Sequence, residues 1–294
     1  MRYTDKLDLH IHTNVSDGTD TPLELVDNVK NAGITLFSVT DHDATDACSV
    51  IKNRLSENDP AFIFGVEFSC KDEDGKYHIL GYGYDPQAPS VRKAVKIGHD
   101  LRMDKLKRRL DFLEKEFGFC LKKQDRESLF ALDNPGKPHI GNMMVKYGFA
   151  PTKEIAIEKY VNKCVSKTEF IRPEDAISAI SVAGGIPVLA HPSYGRGDEL
   201  FIGEEMENRL KKLIGMGIKG VEAFYSGFTA PLQKEILGLA EKYRLYVTAG
   251  SDYHGDNKLV RLGDTNLQGE SEYPDGLKRF LADVRICYPD GSNI

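Results

Sequence analysis

Asp8-Leu9-His10-Ile11-His12, followed by Ser16-Asp17-Gly18, is the stretch from which the fold is read. Leu9 and Ile11 alternate with His10 and His12, and a strand sends residues two apart to one face. A strand over 7–11 therefore presents both imidazoles side by side, with Asp17 on the loop above them. Imidazole and carboxylate groups converging without sulfur are a ligand set for a divalent cation.

Further along the chain the pattern recurs. Short apolar runs at 35–40, 61–67, 77–82, 187–190, 220–224 and 245–249 read as strands, and 22–32, 173–182 and 231–243 carry apolar residues at helical spacing. This alternation predicts an α/β fold with parallel strands. Thr40-Asp41-His42-Asp43 ends the second strand; Asp41 and His42 point apart as neighbours, and His42 is the expected ligand. Gly65-Val66-Glu67 ends the third and supplies a carboxylate able to bridge two cations. His78 lies in the fourth, Ala190-His191-Pro192 ends the fifth, and Gly250-Ser251-Asp252-Tyr253-His254 follows the last.

Barrel enzymes build their sites at the C-terminal ends of several strands. One histidine near a strand is usually a satisfied core residue, but the repetition here is not explained that way. Six histidines (His10, His12, His42, His78, His191 and His254) join Asp17, Glu67 and Asp252 as nine expected metal ligands. A tetrahedral ion takes about 4 donors and an octahedral one about 6, so two or three ions are expected. Manganese, iron and zinc all suit these donors.

From 91 to 167 the rhythm breaks into helix signals without a strand, and the segment reads as a helical insertion into a barrel formed by 1–90 and 168–294. Val91, Val95, Leu101, Leu106, Leu110, Leu113 and Phe117 mark a long amphipathic helix. Its basic run from Arg102 to Arg109 is expected to be a solvated face.

Bulk properties restrict the partners. With 39 basic and 45 acidic residues, a net charge of −6 does not favour holding long nucleic acid by general electrostatics. An anionic substrate then needs a local positive feature, which bound cations can supply. No apolar run reaches the ~18 residues of a membrane span. Five scattered cysteines without a CxxC pair, and a start without a secretory apolar region, suggest a cytoplasmic protein. No motif bears on oligomeric state.

DLHIHTNVSDG (8–18), TDHD (40–43), GVE (65–67), AHP (190–192) and GSDYHG (250–255) together resemble the PHP (polymerase and histidinol phosphatase) family. The resemblance implies a distorted (β/α)7 barrel with a trinuclear centre. It assigns His10, His12, Glu67 and Asp252 to a first metal, Asp17, His42 and His254 to a second, and Glu67, His78 and His191 to a third. Asp17, His42, His191 and His254 are expected to be catalytic as well as ligating. Water made acidic by coordination attacks phosphorus in line in such a centre.

GKPHIGNMMVKYG (136–148), AHPSYGR (190–196) and GVEAFYSGF (220–228) resemble the nucleotide-directed branch of that family. That branch implies hydrolysis of 3′,5′-nucleoside bisphosphates or of the 5′ ends of short oligonucleotides. Lys137, His139 and Arg196 are the expected grips on substrate phosphate, and His139 could equally cap the helix that follows it. Two positions depart from the branch: Lys137 stands where arginine is usual, and Phe228 where a histidine is usual. Glu222 ends a strand without a metal slot and is expected to support the ligands. The rival readings are a histidinol-phosphate phosphatase, an amidohydrolase-type metal hydrolase and a non-catalytic metal-binding module.

Overall fold

Seven strands form one sheet in chain order: β1 (Leu7–Ile11), β2 (Leu36–Val39), β3 (Ala61–Asp72), β4 (Gly75–Tyr82), β5 (Ile186–Leu189), β6 (Gly220–Tyr225) and β7 (Tyr246–Gly250). The helices are α1 (Pro22–Asn31), α2 (Asp46–Arg54), α3 (Pro89–Phe117), α4 (Lys123–Phe130), α5 (Lys137–Lys146), α6 (Lys153–Lys159), α7 (Pro173–Val182), α8 (Gly203–Met216), α9 (Ala230–Lys242) and α10 (Asp275–Asp283). These come from a computed structural model, which describes residues 6–132, 134–164, 170–195, 200–267 and 272–289.

Every residue of β1, β2 and β5 is buried, which is why these strands read as near-continuous apolar runs. Phe37 and Phe62 meet with ring centroids 5.0 Å apart, each such burial contributing about 1.5–3 kcal/mol. Local signals set the helix starts. Thr21 caps α1 in a reciprocal box with Glu24, and Pro22 occupies its first turn.

One expectation is corrected. β1, β2 and β3 are parallel, as are β5, β6 and β7, but β4 runs antiparallel to both β3 and β5. Only Glu73 and Asp74 separate β3 from β4, and a loop that short makes a hairpin rather than a parallel crossover.

The sheet curls until β1 meets β7. The His12 amide donates to the Tyr253 carbonyl at 2.9 Å, and the Asp252 amide to the His10 carbonyl at 2.8 Å. Gly250 permits this approach: a Cβ there would lie 2.2 Å from the His10 Cβ and 2.6 Å from Glu222 Oε1. The result is a nearly closed barrel, an α/β fold with helices outside.

Helices α3 to α6 follow β4 without an intervening strand. Val91 and Ala94, early in α3, pack on the barrel core. Leu106, Leu110 and Leu113 build a second core with Phe119, Leu129, Ile140 and Met144. Gly98 lets α3 come close to the loop after β2, since a Cβ there would sit 2.7 Å from the Asp43 Cβ.

The basic run of α3 is not a solvated face throughout. Lys107 and Arg108 are exposed, whereas Arg102, Lys105 and Arg109 are half-buried. Their spacing of three and four turns them to one side of the helix, toward β3 and β4. Arg102 donates to Asp43 at 2.8 Å and to Ser69 at 3.0 Å, and Lys105 lies 3.3 Å above the Phe170 ring.

All five cysteines are free, and Cys48, Cys70 and Cys287 are buried. Among the described residues no helix is long and apolar enough to cross a membrane.

Candidate metal centre

Glu67 stands at the middle of the constellation, on β3 and 1% exposed. Its Oε1 lies 2.8 Å from His78 Nδ1, 3.4 Å from His10 Nε2 and 3.4 Å from His191 Nε2. Its Oε2 lies 2.9 Å from His42 Nδ1 and 3.3 Å from His12 Nε2. Asp252 Oδ1 joins from the β7 end, 3.6 Å from His10 Nε2 and 3.4 Å from His12 Nε2. Asp17 Oδ1 closes the other side, 3.2 Å from His254 Nε2 and 3.9 Å from His42 Nε2. The nine residues singled out in the sequence thus meet in one cluster.

A surrounding layer holds these side chains in place. Glu222 Oε1 accepts from His10 Nδ1 at 2.9 Å, and its Oε2 accepts the His191 amide at 2.9 Å. Asp41 faces away from the cluster, accepting from the Thr13 amide at 2.7 Å, Thr13 Oγ1 at 2.6 Å and Ser16 Oγ at 2.6 Å. It ties the loop bearing Asp17 to the end of β2. Asp8 does the same between β1 and β7, accepting from Ser251 Oγ at 2.6 Å and the Gly263 amide at 2.8 Å. Burial still pushes the Asp8 carboxyl up to about 6.

His191 and Asp252 sit at φ values of 26° and 60°, a region costly for residues with a Cβ. Their backbone amides are both held, His191 by Glu222 and Asp252 by the His10 carbonyl.

Charge is partitioned unevenly here. Burial alone would depress His10, but Glu222, Glu67 and Asp252 outweigh it and hold its pKa well above the ordinary value. Burial would likewise raise Glu67, yet His78, His42 and His10 hold its carboxyl well below the usual range. His12 goes the other way, depressed by burial and by the neighbouring His254.

The donors fit divalent cations. His10 Nε2, His12 Nε2, His42 Nδ1, His78 Nδ1, Asp17 Oδ1 and both Glu67 oxygens are buried without a hydrogen-bond partner. Buried polar atoms are seldom left so, and seven in one cluster form a cage of lone pairs. Three overlapping groups have donor atoms within 4.8 Å of one another: His12, Asp17, His42 and His254; His10, His12 and Glu67; and His42, Glu67 and His78. A fourth group, Asp72, Glu73 and Asp74, instead surrounds the Lys212 ammonium.

The PHP domain, a family of known proteins, matches residues 8–170, just over half of the 294 and including six of the nine cluster residues. The chain belongs to the PHP family. It is a metal-dependent phosphoric ester hydrolase. A 3′,5′-nucleoside bisphosphate phosphatase of Chromobacterium violaceum is 27% identical, covering 84% of this chain and 87% of its own. A phosphoribosyl 1,2-cyclic phosphate 1,2-diphosphodiesterase of Eggerthella lenta is 28% identical, over 84% and 94%. A 5′-3′ exoribonuclease of Salmonella typhimurium is 29% identical, over 87% of each. Among solved structures, a protein named as a metal-dependent phosphoesterase from Bifidobacterium adolescentis superposes with a TM-score of 0.80 at 27% identity, over 94% of this chain and 96% of its own.

Beside the PHP centre opens a cavity of about 210 Å³, lined by five of the nine residues with Tyr194, Tyr225 and Lys258. Larger cavities lie elsewhere; one of about 850 Å³ between α9 and α10 contains none of the nine residues.

The helical segment reaches the centre at Gly136, where a Cβ would be 3.3 Å from Asp17 Oδ2. His139 Nδ1 accepts the Gly136 amide at 2.9 Å, so it caps α5. Lys137 Nζ donates to Asn162 Oδ1 at 2.6 Å. Arg196 lies outside the described residues. Lys137 belongs to a basic group with Lys76, Arg102, Lys105 and Arg109, and Asp43 is the carboxylate facing it. Burial and neighbouring cations push Lys105 down to about 7 and Lys137 down to about 8.

Sequence reading did not single out Asp8, Tyr225, Lys258 or Lys76; it named Lys137 as a phosphate grip but took the run from Arg102 to Arg109 for a solvated face. An acid inside the apolar run of β1 is a visible signal for Asp8; a lone lysine in a loop is none.

Proposed function

We propose that the chain hydrolyses phosphate esters borne on ribose, with 3′,5′-bisphosphate nucleotides or the 5′ ends of short oligonucleotides as substrates. The observation that carries this reading is the basic group beside the metal cluster. Lys76 and His78 are two residues apart on β4 and so share a face, about 7 Å apart along the strand. Lys76, Lys105, Arg109 and Lys137 are suited to a second phosphate of a substrate whose first phosphate enters the cluster. A monoester such as histidinol phosphate carries no such group.

In this reading three divalent ions, manganese, iron or zinc, are held by the sets given above, with His12 also facing the Asp17 side. Such ions make water acidic near neutral pH and neutralise charge on phosphoryl oxygens. The chain's own side chains orient the donors. His10 Nδ1 hydrogen-bonds Glu222, which keeps a proton on Nδ1 and leaves Nε2, facing Glu67 and Asp252, as the atom that would give up its proton to meet a cation. Asp17, His42, His191 and His254 flank the reacting phosphoryl group. We further propose that segment 91–167 acts as the substrate-side element over the barrel, through Gly136, Lys137 and His139 on α5 and the inward side of α3. Arg196 is retained as a grip on substrate phosphate.

The Eggerthella relative supports a second reading, a diesterase for a cyclic ribose phosphate. The test is manganese-supported phosphate release from adenosine 3′,5′-bisphosphate, beside a 5′-phosphorylated trinucleotide, a ribose cyclic phosphate and histidinol phosphate. Preference for the bisphosphate or the trinucleotide is expected. Turnover of histidinol phosphate alone would overturn the choice of substrate.

A further inference from the structure

We infer that Lys258 grips the phosphoryl group undergoing hydrolysis, its ammonium donating to a non-bridging oxygen of the ester. This rests on the reading of the centre as the site of phosphoester hydrolysis, and not on the nucleotide portion of the substrate.

The two oxygens of Asp252 face different ways. Oδ1 looks into the cluster, 3.4 Å from both His12 Nε2 and His254 Nδ1. Oδ2 looks outward, accepting from Tyr225 Oη at 3.0 Å and from Lys258 Nζ at 2.6 Å. Lys258 therefore stands on the open side of a cluster residue, lining the same cavity as His78, His191 and Tyr194.

Its reach is unusual for a surface lysine. The side chain is 41% exposed, yet its ammonium is turned onto Asp252 at the edge of the cavity. Lysine more often buries its stem and keeps its charge outside. An ammonium carries three donors, and Asp252 is its one hydrogen-bond partner among the described residues. Its remaining donors are available to a ligand.

Holding Asp252 in place does not account for Lys258, because Tyr225 already donates to the same oxygen. The electrostatic need lies elsewhere. Glu67 and Asp252 present carboxylates to a phosphate entering that cavity, and Lys258 is the one lysine or arginine among the residues lining it. A donor fixed where charge develops on phosphoryl oxygens lowers the barrier without reorganising. No covalent bond to the lysine forms in this role.

The experiment uses the manganese-loaded protein, with p-nitrophenyl phosphate as substrate and inorganic phosphate as inhibitor; neither contains a nucleoside. At saturating manganese, Lys258→Met is expected to weaken phosphate inhibition about 10-fold and to lower kcat about 100-fold. Bound metal per chain should match the parent, and Lys258→Arg should recover part of both losses. If excess manganese restores the Met variant and phosphate inhibition is unchanged, Lys258 serves only Asp252 and the inference is wrong. Lys258→Gln, which keeps a donor for Asp252 without the charge, covers a Met variant that fails to fold: parent-like phosphate inhibition in it also overturns the inference. A protein that turns over p-nitrophenyl phosphate and no nucleotide would refute the substrate reading alone.

Discussion

Glu222 and His10 meet across the closing strands of the barrel, with Oε1 of one 2.9 Å from Nδ1 of the other. Both side chains are fully buried, and the second Glu222 oxygen holds the backbone of His191. One carboxylate thereby orients two residues of the cluster without facing its centre. Partners of this kind are typically worth about 10–100-fold in metal affinity. Glu222→Gln, of the same shape, should lose metal affinity by that factor in equilibrium dialysis while keeping its thermal transition. Affinity within twofold of the parent would count against the orienting role.

Substrate binding should weaken as pH rises through the range in which the basic group loses charge. Lys105 and Lys137 are held down to about 7 and about 8. A lysine is cationic below its pKa, so attraction for a second phosphate is strongest below pH 7, declines as pH rises through 7 and 8, and is largely lost above that. KM for adenosine 3′,5′-bisphosphate is expected to climb over that interval more steeply than KM for p-nitrophenyl phosphate. Parallel profiles would separate the basic group from substrate.

Gly250→Ala forces a methyl against the His10 Cβ, where the strand cannot retreat without opening the barrel. A loss of about 3 kcal/mol or more is expected, the upper range for overpacking. Gly238→Ala in α9, where a Cβ meets nothing within 4 Å, should instead stabilise by about 0.5–1 kcal/mol. Denaturant titration of the two variants checks both signs; equal effects would mean that the close approach at Gly250 does not matter.

These cases show what a sequence can carry. His10 and His12 were legible because a period of two on a buried strand leaves few alternatives, and the ligating types recurred at strand after strand. The antiparallel course of β4 was not, since periodicity is blind to direction. Its only mark was the short Asp74-Gly75 turn. Arg102, Lys105 and Arg109 looked like solvated charge because their neighbours, Asp43 and Phe170, are distant in sequence. Lys258 was invisible for the same reason: its meaning comes from where its ammonium ends, beside a cavity lined from β3, β4 and β6 and from the loops after β2, β5 and β7.

Metal content measured together with phosphate release from adenosine 3′,5′-bisphosphate, on Glu67→Ala beside the parent protein, bears on the whole cluster at once. Glu67 faces five of the six clustered histidines through its two oxygens. Its removal should abolish stoichiometric metal binding and reduce the manganese-supported rate by at least about 100-fold. A Glu67→Ala protein that kept the parent's metal content, or turned over substrate at the parent's rate, would contradict the assignment of this cluster as the metal centre.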